Sequence, residues 1–574
     1  MRPLFTALCI CFLICLSSAA TIKYDWHVSW ITANPDTLQP RPVIAINGQW
    51  PSPVLRGNVN DTLEVTVHND LGNQSLSMHW HGIHMTGNNK DDGVPMVTQC
   101  PVIPGASYTY AVHLGQPGTY WWHSHSPSQY VDGLRGPLII DDPHSPYAAK
   151  YDAELLMTVS DWYHALPGNP NALEPIPVSA LMNDQEQPTF PVEANKTYYL
   201  RIINMSGFAQ FYFHIDGHNM SIIEADGVYS VAQPVEDLYI ATGQRYGVLL
   251  KTKPTTDRNF AILGAMDLTG FPGSAPPPPH PNVTGALVYN SHLPFPSTPS
   301  VESFTTFDDF CLVPFDQMPL LGPPDQQIVL NLSTFSQLVP GNEQNRYRTI
   351  FYSSLTPPRL SFSPSLYKEI SKVPSLYTAL SAQQYALNPI VYGNHTNPFV
   401  LKPVVLKKGE IVEIVVYNFD TGIHPIHLHG HTVQLVARTN STCSNSPIPM
   451  RRDTWMEPRW NSSDPNHPST VVRFQADNPG VWFFHCHMEW HLVAGMDVIF
   501  VEDPLAIQKA QSGIPASMRE ICKKQNIPLK GNAAGNYPDF LNLTGEVDIA
   551  PMECGCVLIF LRLQGHTYYV EMEC

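Results

Sequence analysis

Residues 479–487 read Pro-Gly-Val-Trp-Phe-Phe-His-Cys-His, and residues 117–125 read Pro-Gly-Thr-Tyr-Trp-Trp-His-Ser-His. Each stretch precedes a predicted strand that ends in Asp-Pro, at residues 142–143 and 503–504. A second matching pair lies upstream of these stretches, His-Trp-His-Gly at 79–82 and His-Leu-His-Gly at 427–430. This duplication predicts that the N-terminal and C-terminal thirds share one fold. The middle third carries no His-x-His pair, which predicts a spacer.

Short runs of β-branched or alternating residues recur along the whole chain, separated by Pro, Gly and Asn-Asp, and no long stretch has helical periodicity. This pattern is typical of antiparallel β-sandwiches or barrels. The proline-rich residues 272–281 indicate a surface loop or linker. The predicted strands include residues 62–68, 107–114, 198–204, 246–251, 410–418 and 471–475.

The composition narrows the class of protein. A chain of 574 residues has room for three or four domains. Its 14% charged residues and 55 prolines argue against a coiled coil, and its 10% aromatic residues argue against disorder. A formal charge of −17 without a Lys/Arg cluster argues against nucleic acid and anionic membranes as partners.

The N-terminus has the features of a signal peptide. A basic start, an apolar run over residues 4–16 and small residues at 17–20 predict cleavage before Thr21. The run is too short to span a bilayer. Eleven Asn-x-Ser/Thr sequons, including those at Asn60, Asn195 and Asn331, fit a secreted glycoprotein.

Cysteine usage excludes a scaffold built on disulfides. Three of the eleven cysteines leave with the signal peptide, so eight remain in the mature chain. Cys100 and Cys522 form a plausible long-range pair, and Cys486 lies between two histidines. The pairing of the others is left open. These are Cys311, Cys443, Cys554, Cys556 and Cys574.

The histidines point to a metal site. Random placement of 24 histidines gives about one His-x-His pair, whereas four separate pairs occur and His431 adds an overlapping fifth match. Alternate side chains of a strand share a face, so each pair presents two imidazoles to one site. Eight imidazoles are therefore predicted to converge between the two halves. They belong to His79, His81, His123, His125, His427, His429, His485 and His487.

Cys486 predicts a second metal site. Its side chain points away from those of its two neighbours on a strand, so it can bind a different metal. His424 precedes it, and His491 and Met496 follow. A thiolate, two imidazoles and a weak axial thioether are the ligands of a blue-copper centre. A zinc site would leave the other eight histidines unexplained.

These motifs resemble the four copper motifs of multicopper oxidases. They are His79-Trp-His-Gly82, His123-Ser-His125, His424-Pro-Ile-His-Leu-His429 and His485-Cys-His-Met-Glu-Trp-His491. The resemblance extends over the mature chain to about Thr544. It implies an all-β protein of three cupredoxin-like Greek-key β-sandwich domains. It also implies four copper ions, one of type 1, one of type 2 and two of type 3, with dioxygen as acceptor.

The resemblance assigns ligands residue by residue. Type 1 copper takes His424, Cys486 and His491, with Met496 axial, and type 2 copper takes His79 and His427. One type 3 copper takes His81, His123 and His487, and the other takes His125, His429 and His485.

Two acidic residues match positions near the trinuclear cluster of that family, Asp92 and Glu489. Reduction of dioxygen to water consumes protons, so carboxylates beside the cluster have a chemical role. The alternative for Asp92 is a turn residue before Gly93.

Within the family, the chain is most similar to the fungal ferroxidases of iron uptake. The shared stretches are residues 92–95, 98–101, 174–177, 449–454 and 476–484. Glu174 and Asp420 fall where those enzymes place carboxylates that bind Fe²⁺, and Tyr347 matches an aromatic member of that site. Hard oxygen ligands hold Fe³⁺ better than Fe²⁺, which favours electron loss. The alternative is that Glu174 is an exposed loop acid and Asp420 an Asx-turn residue.

Three departures from the ferroxidases stand out. A further acidic residue is missing near Phe271, with Asp267 the nearest candidate, and Met496 replaces an expected leucine. No transmembrane helix follows residue 545, because the apolar run 556–561 is short and Arg562 interrupts it. Either this form is secreted or its final exon is misassembled.

The sequence therefore predicts a signal peptide at 1–20, cupredoxin domains at 21–145, 146–300 and 301–525, and a tail at 526–574. The predicted activity is oxidation of Fe²⁺ coupled to reduction of dioxygen in the secretory pathway or at the cell surface. A laccase-like oxidase of phenols or pigment precursors is the first alternative, and a non-catalytic copper-storage glycoprotein is the second. Whether an iron permease is a partner is left open.

Overall fold

The structure is a computed structural model. It describes residues 19–164, 175–271, 276–339, 342–352, 371–393, 403–459, 469–493, 495–510, 513–546, 558–563 and 566–571. Within 334–352 and 558–571 it describes the backbone alone. Glu174, residues 1–18 of the predicted signal peptide and the tail cysteines lie outside the described residues, as does the side chain of Tyr347.

Residues 21–141 form two four-stranded sheets, in the orders β2-β1-β4-β6 and β3-β8-β7-β5. Side chains of β4 alternate between buried and half-exposed, as expected for a sheet with one solvent-exposed face. Every residue of β7 is buried, because that strand lies inside the molecule. The strands are β1 (Thr21–Ala33), β2 (Arg41–Ile46), β3 (Leu55–Asn58), β4 (Thr62–Asn69), β5 (Met78–His81), β6 (Ser107–His113), β7 (Gly118–Ser124) and β8 (Arg135–Asp141).

Residues 153–288 form a six-stranded sheet, β10-β9-β12-β17-β14-β15, and a five-stranded sheet, β11-β19-β18-β13-β16. The strands are β9 (Ala153–Trp162), β10 (Ser179–Met182), β11 (Thr189–Pro191), β12 (Thr197–Asn204), β13 (Phe211–Ile215), β14 (Met220–Ala225), β15 (Val228–Val235), β16 (Asp237–Ile240), β17 (Arg245–Lys251), β18 (Phe260–Met266) and β19 (Asn282–Val288).

Residues 326–502 repeat this plan with the orders β21-β20-β23-β28-β25-β26 and β22-β30-β29-β24-β27. The strands are β20 (Gln326–Val339), β21 (Asn342–Tyr352), β22 (Val404–Leu406), β23 (Ile411–Asn418), β24 (His424–Leu428), β25 (Val433–Arg438), β26 (Arg451–Arg452), β27 (Thr454–Glu457), β28 (Thr470–Gln475), β29 (Gly480–Cys486) and β30 (Asp497–Glu502). In the tail, β31 (Leu558–Leu563) pairs with β32 (His566–Glu571).

The described helices are short. The α-helices are Ser375–Ser381, Glu489–Val493, Pro504–Ala510 and Ala516–Lys524. The 3₁₀-helices are Asn89–Asp91, Leu268–Gly270, Asp309–Cys311, Gln383–Leu387 and Pro389–Tyr392. Within the described part of the chain, no helix has the length and apolar character needed to cross a membrane.

The predicted all-β class is confirmed. The six strands expected from the sequence are all present, with ends shifted by at most one residue. Strand order also confirms the duplication, because β3-β8-β7-β5 and β22-β30-β29-β24 have the same sequence of parallel and antiparallel pairings. The middle segment repeats this order in β11-β19-β18-β13. The sequons are not all on the surface. Asn331 is buried in β20 and cannot accept a glycan in the folded protein.

One hydrophobic core runs through all three segments and contains Trp80, Trp121, Trp122 and Trp482. This core carries β5, β7, β24 and β29, the strands that hold the His-x-His pairs. Gly93 has φ +90°, and a Cβ there would lie 1.7 Å from the Met78 carbonyl oxygen. Only glycine therefore lets the chain pass so close behind β5.

Two disulfides are present among the described cysteines. The predicted Cys100–Cys522 bond is confirmed and closes a sequence separation of 422 residues. Cys311–Cys443, which the sequence left open, closes a separation of 132 residues. Cys486 is free and buried.

Replacing both Cys100 and Cys522 with alanine is expected to lower the free energy of unfolding by about 2–4 kcal/mol, because the unfolded chain gains freedom when a long loop opens. Chemical denaturation of the copper-loaded protein measures this loss. Oxygen uptake at low temperature should stay unchanged, since neither cysteine touches the histidine cluster. An unchanged denaturation midpoint would contradict the prediction.

Candidate metal centre

The four His-x-His pairs lie at the facing ends of four buried strands. β5 carries the first pair, β7 ends within the second, β24 within the third and β29 within the fourth. Register places His79 opposite His123 and His427 opposite His485, so the two halves present their pairs in the same way. All eight side chains are at most 4% exposed.

The structure brings all eight imidazoles together. Groups whose ligand atoms lie within 4.8 Å of one another are His79/His81/His427, His81/His123/His487 and His125/His429/His485. The second and third groups coincide with the two predicted type 3 sets. The first contains both predicted type 2 ligands. Nε2 of His487 lies 3.1 Å from Nδ1 of His81, and Nε2 of His429 lies 3.2 Å from Nε2 of His485.

Outer hydrogen bonds fix the orientation of the rings. Nδ1 of His79 bonds the Asp92 carbonyl oxygen at 2.8 Å, and Nδ1 of His427 bonds the Asp453 carbonyl oxygen at 2.8 Å. In the paired strands, His123 and His485 bond the carbonyl oxygens of the residues that follow them. Such contacts are typical of metal-binding histidines, since they set the tautomer and aim the other nitrogen at the ion.

The inward nitrogens fit metal ions. Among the described residues, the Nε2 atoms of His79, His123 and His427 are buried without a hydrogen-bond partner. Burial and neighbouring histidines lower the pKa of the ring well below 6.5 in His81, His123, His125, His427, His429 and His487, and burial lowers that of His485 to about 3. Neutral imidazole is the form that binds metal.

Asp92 is more than a turn residue. Its side chain is fully buried, with Oδ2 2.9 Å from Nδ1 of His429 and Oδ1 3.3 Å from Nδ1 of His79. One carboxylate thus connects a histidine from each half.

Glu489, two residues after His487, is also buried. Its Oε1 accepts a hydrogen bond from the backbone N–H of Ser128. Burial raises the pKa of Glu489 to about 7, although this hydrogen bond opposes the shift. A carboxyl group with such a pKa can both bind and release a proton near neutral pH.

The second centre contains His424, Cys486 and His491. Sγ of Cys486 lies 3.8 Å from Nδ1 of His424 and 3.5 Å from Nδ1 of His491, and the two Nδ1 atoms are 3.1 Å apart. Burial raises the pKa of the Cys486 thiol, but His491 and His424 outweigh burial and bring this pKa down to about 7. The thiol can therefore ionise near neutral pH to the thiolate, which is the form that binds metal.

Met496 and Asp420 flank this centre. Met496 is fully buried, and its carbonyl oxygen accepts a hydrogen bond from the N–H of Cys486. Oδ2 of Asp420 lies 3.1 Å from Nε2 of His424. Burial alone lowers the pKa of His424, but the contacts with Asp420 and Cys486 together outweigh burial and raise this pKa.

Two other residues singled out in the sequence have structural roles. His431 forms a buried ion pair with Glu502 at 3.0 Å. Asp267 accepts hydrogen bonds from Tyr239 and from the N–H of Thr269. Its carboxylate is therefore hydrogen-bonded within the fold.

Sequence reasoning missed a buried ion pair behind the cluster. Nη1 and Nη2 of Arg245 bond the carboxylate of Asp453 at 2.7 and 2.6 Å. Oδ1 of Asp453 lies 3.3 Å from Nε2 of His81. The middle segment, predicted to be a spacer, thus supplies one side chain to the surroundings of the cluster. The only sequence signal was the charged stretch Arg451-Arg-Asp453, and only strand pairing brings its neighbour Thr454 opposite His427.

Comparisons with known proteins agree with this geometry. Family models described as multicopper oxidase match residues 27–145, 153–292 and 370–506. The iron transport multicopper oxidase FET3 of Gibberella zeae is 45% identical over 552 residues, which cover 92% of this chain and 84% of that protein. This chain belongs to the multicopper oxidase family.

Solved structures of two multicopper oxidases are similar to this one. The crystal structure of Fet3p, described as functioning in iron import, matches with a TM-score of 0.79 at 36% identity, covering 91% of this chain and 98% of that chain. The laccase from Botrytis aclada matches with a TM-score of 0.70 at 27% identity, covering 89% and 92%. The predicted cupredoxin-like sandwiches are thereby confirmed, and the chain is a copper-dependent oxidoreductase with oxygen as acceptor.

Proposed function

We propose that this multicopper oxidase is a ferroxidase with four copper ions. One ion would be held by His424, Cys486, His491 and Met496, and three by the eight-histidine cluster, divided as the sequence predicts. When bound, copper would take single electrons at the Cys486 centre and reduce dioxygen to water at the cluster. The overall reaction converts four Fe²⁺, one dioxygen and four protons into four Fe³⁺ and two water molecules.

The position of Asp420 is the main observation that supports Fe²⁺ as the electron donor. Its side chain is 20% exposed, whereas the ring of His424 is fully buried. Nδ1 of that ring faces Cys486, and Nε2 faces the Asp420 carboxylate. The imidazole therefore extends from the metal centre to an acid that solvent reaches. An oxygen ligand there favours Fe³⁺ over Fe²⁺ and so promotes electron loss from bound iron.

Glu174 and Tyr347 complete the proposed iron site by resemblance alone. Glu174 falls outside the described residues, and the structure describes only the backbone of Tyr347, in β21. The proposal places Glu174 toward His491, as Asp420 is toward His424.

The chain also connects the two centres. Cys486 is bonded through the backbone to His485 and His487, which both face the cluster. Asp92 and Glu489 are the proposed proton carriers, because four protons are consumed per dioxygen. The Asp92 carboxylate contacts His79 and His429, and the buried Glu489 follows His487 by two residues.

The names of the relatives support iron as the donor. The relative from Gibberella zeae is named for iron transport, and Fet3p is described as functioning in iron import. Delivery of Fe³⁺ to an iron permease, in the secretory pathway or at the cell surface, belongs to the same proposal.

The test is a comparison of kcat/KM for Fe²⁺ and for a diphenol in the wild type and in a Glu174→Ala/Asp420→Ala variant. Each charge-assisted contact contributes about 1.5–3 kcal/mol, so oxidation of Fe²⁺ should fall at least about tenfold. Oxidation of the diphenol should stay within about twofold of the wild type, since its binding needs no carboxylate pair.

A matched control removes two exposed acids elsewhere, Asp257→Ala/Glu302→Ala. This control keeps the same net charge change, so it separates a local effect from general electrostatics. If iron oxidation survives the Glu174/Asp420 change unaltered while the diphenol is turned over, the ferroxidase assignment is wrong and the laccase alternative is favoured.

A further inference from the structure

A cluster of polar side chains lies on the solvent-exposed face of the sheet β2-β1-β4-β6, outside both metal centres. β1 and β4 run parallel as neighbours, and their register aligns His27 with His68. Trp26 and Val67 point inward and are buried, so the alternation of the strands turns both histidines outward. Asp25 lies two residues before His27 and therefore shares this face.

The three side chains converge. The rings of His27 and His68 stack with centroids 4.5 Å apart and planes within 11° of parallel. Oδ1 of Asp25 lies 2.7 Å from Nε2 of His68. One ligand atom from each of the three residues lies within 4.8 Å of the other two.

A second layer of contacts holds the outer nitrogens. Nδ1 of His27 bonds Oδ2 of Asp70 at 2.8 Å, and Nδ1 of His68 bonds Oγ of Ser107 at 2.7 Å. Both rings are therefore held at Nδ1, so Nε2 is the nitrogen that would bind an ion in each ring. At His68 the ion would replace the proton shared by Nε2 and Asp25. The eight-histidine cluster holds His79 and His427 in the same way, and metal-binding histidines generally need such outer partners.

The backbone and the local charge also favour a cation. The side chain of Asn47 accepts from the N–H of His27 and donates to the carbonyl oxygen of Asp25, which fixes the strand that carries two of the three groups. Asp25 and Asp70 bring negative charge. The neighbouring Lys23 is engaged by Glu64 at 2.7 Å.

We propose that Asp25, His27 and His68 form a site for a divalent transition metal. Two imidazoles and one carboxylate suit Zn²⁺ or Cu²⁺ and disfavour Mg²⁺ and Ca²⁺, which take oxygen ligands. The side chain of Asp25 is 72% exposed, so water can complete the coordination. The ion connects the first strand of the predicted mature chain to β4 and stabilises the folded protein when it binds.

The experiment uses the copper-loaded enzyme and Zn²⁺ alone as the probe. Equilibrium dialysis followed by metal analysis should find one Zn²⁺ per chain with the copper content unchanged. The His27→Gln/His68→Gln variant should lose this Zn²⁺. Asp70→Asn, which removes an outer partner, should weaken Zn²⁺ binding about tenfold.

His113→Gln is the matched control, because His113 is exposed on β6 of the same sheet and lies outside the cluster. Its Zn²⁺ binding should equal that of the wild type. The double variant should keep the blue absorbance and oxygen uptake of the wild type, which shows that it folds. Absence of bound Zn²⁺ in the wild type, or equal binding in the double variant, overturns the proposal.

Discussion

Replacing Cys486 with serine is expected to abolish both the blue colour and oxygen uptake with every electron donor. The Cys486 side chain is fully buried, with Sγ 3.5 Å from Nδ1 of His491. A serine hydroxyl does not ionise near neutral pH, so the centre loses its thiolate, on which the blue colour and the electron-accepting role depend. Visible absorbance and an oxygen electrode measure the two losses, and each loss is expected to be complete.

The control for this prediction is Cys311→Ser/Cys443→Ser, which removes two other cysteines and keeps Cys486. That variant should stay blue and active. Oxygen uptake that persists in Cys486→Ser would exclude the proposed route of electrons into the cluster. A wild-type protein that binds copper but consumes no oxygen with Fe²⁺ or a diphenol would instead favour the copper-storage alternative.

The histidine cluster could be predicted from the sequence because each His-x-His pair depends only on the alternation of side chains along one strand. A His-x-His pair on a strand must present both rings to one face, and the repeated Pro-Gly-aromatic stretches place two pairs in each half. The structure brings together the groups assigned by resemblance, including His125, His429 and His485. Asp92 was placed near the cluster by resemblance alone, and the structure shows its carboxylate next to His79 and His429.

Contacts that depend on the relative placement of distant segments could not be predicted. Arg245 and Asp453 are 208 residues apart, and neither lies in a periodic pattern. Cys311–Cys443 was missed for the same reason, since sequence spacing alone does not fix disulfide pairing. The His27/His68 cluster depends on the register between β1 and β4, which the separate runs of sequence do not reveal.

Asp453→Ala is expected to destabilise the protein by about 3–5 kcal/mol, because it leaves the buried guanidinium of Arg245 without its main partner. The nearest remaining carboxylate is Asp226, whose Oδ1 lies 3.3 Å from Nη1 of Arg245. The same change removes the carboxylate beside His81 and should weaken retention of copper at the cluster about tenfold to a hundredfold. Chemical denaturation and metal analysis after dialysis against a chelator measure the two effects.

Two controls show whether burial is the cause. Asp216→Ala removes the partner of Arg258 in an exposed pair, 3.4 Å apart, and should cost less than about 1 kcal/mol. Arg245→Leu/Asp453→Leu removes both charges, so it should restore part of the stability that Asp453→Ala loses, because no unpaired charge stays buried. Copper retention should remain low in this double variant, since His81 still lacks its carboxylate. If Asp453→Ala cost no more than Asp216→Ala, the ion pair would not hold the middle segment against the cluster.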